Sequence, residues 1–227
     1  MTKNHTVHSF DEVMTQVTTD VLRMGQLARS QLAAAVTLLD QDAQTDAETI
    51  VANDVQVDDF DERIEYEVQR IIALRQPMAG DLRALLSYNR MATDLERIAD
   101  HAKNIAKRAG RIREQGHRVD FSGSVALGRE VIAQLDAVLQ AIEINDVAAA
   151  RRIWARDIDI DRLFEDIFHQ QLQNICQTPD MASSCTNALF IDKSLERVGD
   201  HVTNIAEDLV YMVEGDRMSK RQTGDSA

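Results

Sequence analysis

One stretch of seventeen residues occurs twice in this chain, 100 positions apart and without a gap. The first copy runs from Asp94 to Gly110 and the second from Ser194 to Val210. Leu95/Leu195, Glu96/Glu196, Arg97/Arg197, Asp100/Asp200, His101/His201, Asn104/Asn204, Ile105/Ile205 and Ala106/Ala206 coincide at matching positions. Chance does not align eight such residues, so the chain is a tandem repeat of two similar halves, each built around one copy.

The spacing within the stretch sets its secondary structure. Leu95, Ile98, Ala102, Ile105 and Ala109 form a heptad seam, repeated by Leu195, Val198, Val202, Ile205 and Leu209, so both copies read as helices that bury one narrow face. Glu96, Asp100 and Asn104, with Glu196, Asp200 and Asn204, recur every fourth residue. At about 100° per residue they make a second stripe, set well round the helix from the seam. Oxygen side chains stacked in this way lie roughly 5–6 Å apart, and two carboxylates repel by about 0.2–0.5 kcal/mol. A hard cation turns that repulsion into attraction, because carboxylate and amide oxygens are its preferred ligands. A solvated polar face gives the same pattern in a single helix. The duplication in register favours a cation.

The rest of the chain divides around these two helices. Aromatic residues are only 4% of the 227 and there are two prolines, so strand and turn signals are scarce and the profile is all-α. The periodicity predicts helices over about 10–39, 46–74 and 79–113, then 124–144, 147–177 and 181–214. Ser9 and Glu12 suggest a capping box before the first. Short turns at 40–45, Gln76-Pro77, Asn145-Asp146 and Pro179 make neighbouring helices antiparallel. The expected architecture is two tandem, pseudo-repeated three-helix bundles, over 9–113 and 124–214, with a polar, frayed tail at 215–227. Each helix of roughly 30 residues spans about 45 Å.

The middle helix of each half supplies a partner stripe. Asp54, Asp58 and Glu62 recur at every fourth position, as do Asp157, Asp161 and Glu165, 103 residues on. Two helices carrying such stripes can enclose an ion that one helix cannot. The formal net charge of -13 argues against sequence-independent binding to nucleic acid or anionic membranes. No apolar run reaches the roughly 18–20 residues of a membrane span, and the first residues lack a signal-peptide layout. Cys176 and Cys185, nine apart and outside any CxxC, read as reduced thiols of a cytoplasmic protein.

Leu74-Arg-Gln-Pro-Met-Ala-Gly-Asp-Leu82 and the two duplicated stretches closely resemble the PhoU family of bacterial phosphate-transport accessory proteins. The resemblance covers roughly residues 9–214. It implies tandem three-helix bundles, often dimeric, each with a surface metal site bound by a pair of Glu/Asp-x-x-x-Asp motifs. Carried over, the first site is Asp54 and Asp58 with Glu96 and Asp100, and the second is Asp157 and Asp161 with Glu196 and Asp200. The implied cofactors are divalent or trivalent metal ions, whether iron, zinc, manganese or magnesium, one or several to a site. The implied role is that of a cytoplasmic regulator and not a catalyst. Such a regulator couples the ATPase subunit of the phosphate ABC transporter to a phosphate-sensing histidine kinase and holds the starvation response off. It meets the membrane only through these partners. Between the copies Asp94 becomes Ser194 and Ala99 becomes Gly199, so the two sites need not be equal.

Other residues carry weaker expectations. His101 and His201 point about 100° away from the preceding aspartates and read as capping or bundle contacts. His169 extends the Asp157 stripe and is at most a peripheral ligand. Arg97 and Arg197 flank the acids and suit orienting ion pairs, and Trp154 sits at core spacing. Two rival functions remain: a metal-free acidic scaffold for a basic partner, and, more weakly, a ferritin-like di-metal oxidase, which needs two Glu-x-x-His pairs inside a four-helix bundle. Only Glu114/His117 and Asp166/His169 approach that spacing.

Overall fold

The computed structural model describes residues 3–40 and 47–218, and among these there is no strand. Among the described residues seven α-helices run in order: α1 Lys3–Leu38, α2 Ala47–Asn53, α3 Val55–Arg75, α4 Ala79–Glu114, α5 Ser122–Ile144, α6 Val147–Gln177 and α7 Ala182–Glu214. A short 3-10 turn, Pro179–Met181, precedes α7. The all-α expectation holds, with three differences of detail. First, α1 already begins at Lys3, so Ser9 lies inside the helix and not ahead of it. Second, the single helix expected from 46 to 74 is interrupted at Asp54, although Asp54 itself keeps right-handed helical angles. Nothing in the structure explains the interruption. Third, the expected frayed tail falls mostly outside the described residues, which stop at 218.

Turn chemistry ends the helices where the sequence places the punctuation. Gln76 and Asn145 adopt left-handed backbone angles, with φ of 47° and 54°, and Gly215 does so at 87°. Asn145 and Gly215 are residue types that close helices with an αL cap, and Gln76 takes the same conformation just before Pro77. Asp146 starts α6 as a capping residue, its Oδ1 accepting from the Ala149 N–H at 2.9 Å.

The halves do not bury separate cores. Buried side chains from every α-helix belong to one continuous apolar cluster. The most extensive packing joins the two helices that carry the duplicated stretch, α4 and α7, and α1 packs on both α4 and α5 while α5 packs on α7. These four therefore form a central layer, with α3 on one flank and α6 on the other. Contacts between the halves come in reciprocal pairs, as a two-fold relation requires. Arg90 meets Asp208 at one end of the antiparallel α4–α7 pair, and Arg108 meets Phe190 at the other. Gly25 packs on Leu139 where α1 crosses α5, and Gly128 packs on Val36. Each glycine admits a side chain where a Cβ would collide: at Gly128 it would stand 2.6 Å from Val36 Cγ2. At the centre of the α4–α7 seam His101 and His201 face one another, ring centroids 5.6 Å apart.

Candidate metal centre

The antiparallel packing of α3 on α4, and of α6 on α7, brings each pair of acidic stripes to a common edge. In the first half Asp58 lies in the field of Asp54 and Asp100, and Glu96 in that of Asp100, Asp61 and Asp58. In the second, Asp200 lies in the field of Glu196, Asp157 and Asp161. All eight sequence-derived carboxylates are thus gathered into two quartets, one per half. The stripes are not simply solvated faces. Asp54 is buried at 5% exposure, and Glu96, Asp100, Asp157 and Glu196 are half-buried, whereas Asp58, Asp161 and Asp200 remain open to water.

The electrostatics record this crowding. Loss of hydration, then the negative potential of Asp54, raises the Asp58 carboxyl above its usual range. Glu96 is raised by burial and then by Asp100. Asp200 keeps some contact with water, yet burial followed by Glu196, Asp157 and Asp161 pushes it up to about 6. Carboxylates held this way repel one another within the fold, and a cation placed among them would relieve that repulsion.

The two quartets differ in how they are neutralised. In the first, the Lys103 ammonium contacts Asp54 and lies 2.5 Å from Asp100 Oδ1. Burial works against this ammonium's charge, but hydrogen bonds to Asp100 and Asp54 outweigh it and hold its pKa above the ordinary value. Arg97 adds looser contacts to Glu96 at 3.4 Å and Asp100 at 3.9 Å, the orienting pairs expected of it. In the second quartet position 203 is threonine, whose Oγ1 donates to Asp157 Oδ1 at 3.1 Å. Lys193 bonds Glu196 Oε1 at 2.7 Å, but Glu196 Oε2 is buried without any hydrogen-bond partner among the described residues. An orphaned carboxylate oxygen beside three further carboxylates fits a hard cation. Among the described residues, no three His, Cys, Asp or Glu side chains converge closely enough to grip an ion.

Spacing alone missed several participants. Asp61, and not Glu62, faces Glu96. Its only sequence signal is that it stands three residues beyond Asp58, which a helix places on nearly the same side. Lys103 stands three beyond Asp100, and its replacement by threonine in the second copy is visible when the two copies are aligned. Asn204 leaves the stripe and donates to Asp94 Oδ1 at 3.2 Å. His201 Nδ1 lies 2.7 Å from the same oxygen; the carboxylate brings no proton, so Nδ1 carries the hydrogen. His101, opposite Ser194 in the repeat, has no such partner, and burial, then His201 and Arg197, lowers it to about 4. Both histidines are bundle contacts. His169 is exposed. Trp154 is only half-buried, its Nε1–H donating to Glu207 Oε1 at 2.7 Å, which corrects the expectation of a core position. The oxidase spacings do not meet in a core: His117 is held by Ser184 at 2.9 Å, and Asp166 and His169 lie on the surface. No helix among the described residues is long and apolar enough to cross a membrane.

Comparison with known proteins agrees with this architecture. The PhoU domain matches twice, at residues 21–109 and 125–209. The phosphate-specific transport system accessory protein PhoU homolog of Caulobacter vibrioides is 36% identical, over 96% of this chain and 95% of its own. The homolog of Xylella fastidiosa is 33% identical over 95% and 89%. The crystal structure of PhoU from Pseudomonas aeruginosa superposes with a TM-score of 0.87 at 32% identity, covering 91% of this chain and all of that one. A duplicated helical domain, matched over nearly its whole length in sequence and in shape, makes this chain a member of the PhoU family.

Proposed function

We propose that this chain is an accessory regulator of phosphate-specific transport. In this reading it is a cytoplasmic, non-catalytic protein that couples the ATPase subunit of the phosphate ABC transporter to a phosphate-sensing histidine kinase, acting as a homodimer and holding down both uptake and the starvation regulon. The observation that carries the reading is the match of both halves to the PhoU domain, together with near-full-length relatives named as accessory proteins of that transport system. A fold made of long helices on one shared core suits an adaptor: it presents extended faces, and the α4–α7 seam packs the two halves against each other.

Metal enters the proposal through the carboxylate quartets. The second quartet, Asp157, Asp161, Glu196 and Asp200, has the stronger support, from the orphaned Glu196 Oε2 and the raised Asp200. An iron, zinc, manganese or magnesium ion there would supply positive charge that neutralises acids of two helices at once. The chain's own residues do the rest: Lys193 and Thr203 orient Glu196 and Asp157, and the α6–α7 packing holds the two stripes at one edge.

The test is recovery of partners from membranes with a tagged copy in a strain lacking the native one. The transporter ATPase and the sensor kinase are expected in the eluate, and starvation genes are expected to stay off in ample phosphate. A strain that represses those genes normally without this protein would refute the role.

A further inference from the structure

The two acidic sites derive from one repeated pattern but differ in where a cation meets them: Thr93, Asp94 and Lys103 in the first half stand opposite Lys193, Ser194 and Thr203 in the second. Seven residues beyond the glutamate stands Lys103 in α4 and Thr203 in α7. In the first half the Lys103 ammonium lies between carboxylates of two different chain segments, Asp54 ahead of α3 and Asp100 on α4. The contact is partly shielded from water: the Asp54 side chain is 7% exposed, that of Lys103 22% and that of Asp100 32%. In the second half Thr203, at the matching position, brings no charge and donates a hydrogen bond to Asp157. The lysine of that half, Lys193, bonds Glu196 one turn nearer the start of α7 and leaves one of its oxygens without a partner.

An ammonium and a metal ion compete for the same oxygens. The ammonium of Lys103 is tethered, so it meets Asp54 and Asp100 at an effective concentration no free ion reaches. A metal entering the first quartet would have to displace it and leave a positive charge beside a multivalent cation. We propose that Lys103 closes the first quartet to metal by acting as its built-in counter-cation, so that metal loads the second half alone. The proposal rests on the metal reading above. The two repeats then play different parts. The first half carries its own counter-cation between carboxylates of two chain segments, and the second, with Lys193 on one oxygen of Glu196, keeps room for an exchangeable ion.

The full chain, stripped of metal and titrated with Mn2+ by calorimetry and elemental analysis, decides the matter. Lys103→Thr, which writes the second copy's residue into the first, is expected to bind at least one more Mn2+ per chain than the natural protein. Lys103→Arg keeps the cation and is expected to gain none. Asp54→Asn added to Lys103→Thr is expected to remove the gain. In the natural background Asp54→Asn with Glu96→Gln is expected to leave bound metal unchanged, a measurement that stands even if Lys103→Thr fails to fold. A folded Lys103→Thr with no extra metal, or loss of metal from the Asp54→Asn, Glu96→Gln protein, overturns the proposal. If Glu196→Gln with Asp200→Asn has no effect on bound metal, the metal part of the proposed function fails. The Lys103→Thr comparison still decides this inference.

Discussion

Replacing Asp192 by asparagine should make this protein more stable, and the gain should depend on pH in a way that can be worked out beforehand. Asp192 lies on α7 at 0% exposure, and neither of its oxygens has a hydrogen-bond partner among the described residues. Burial raises its carboxyl from 3.8 to about 6, against a smaller opposing pull from Ser124, whose hydroxyl approaches without a well-aligned bond. For an acid whose folded pKa is raised, the folded state holds the proton more tightly than the unfolded chain. Stability therefore falls as pH rises from about 4 to about 6, and the full penalty is present above that window. A move from 3.8 to about 6 corresponds to about 3 kcal/mol. The neutral acid and the amide have similar polar needs, so Asp192→Asn should match the natural protein near pH 4. The difference should grow to about half its final size by pH 5 and reach about 3 kcal/mol above pH 7. For a chain of this length that is a rise in Tm of about 6–12 °C at neutral pH. The first copy carries Ala92 at the matching place, buried at 1%, so the fold does not need a carboxylate there. Urea unfolding of both proteins across pH isolates the effect, since every other titrating group is common to the two. A variant equally stable at pH 7.5, or one whose advantage is the same at pH 5 and pH 7.5, would refute the reasoning.

Three further outcomes follow from the geometry. Gly128→Ala places a methyl 2.6 Å from Val36 Cγ2, on a β-branched side chain with little freedom to move, and should destabilise by about 1–3 kcal/mol in urea unfolding. Arg90→Met removes the partner of Asp208, which burial already pushes up to about 6 despite that arginine. It should raise Asp208 further and cost about 1–2 kcal/mol at pH 7 but less at pH 5, a difference read from paired melting curves. Chelation of metal-loaded protein should lower Tm without loss of helical circular dichroism, because the apolar core, and not the quartets, closes the bundles. Collapse of the helical signal on chelation would contradict that.

Much of this molecule is legible in the sequence because helices announce themselves by period. Leu95, Ile98, Ala102, Ile105 and Ala109 repeat at heptad spacing, and all are buried in α4. Gln76, Asn145 and Gly215, read as helix ends, take positive φ, as does Gly116 in the linker between the halves. The spacing of Glu96 with Asp100, and of Asp54 with Asp58, places each pair on one helix edge, since four residues return almost to the same side. Only the tertiary structure decides what crosses between helices. Period says which face a residue occupies, not what arrives opposite it: Lys103 reaching Asp54, Asp61 and not Glu62 beside Glu96, and Asp192 sealed away from partners all depend on the register of one helix against another. The same holds for the shared core. The repeat predicts two bundles, but the merging of their apolar faces through α1, α4, α5 and α7 rests on close approaches such as Gly128 on Val36, and such contacts are set by side-chain shape across a distance the chain order does not encode.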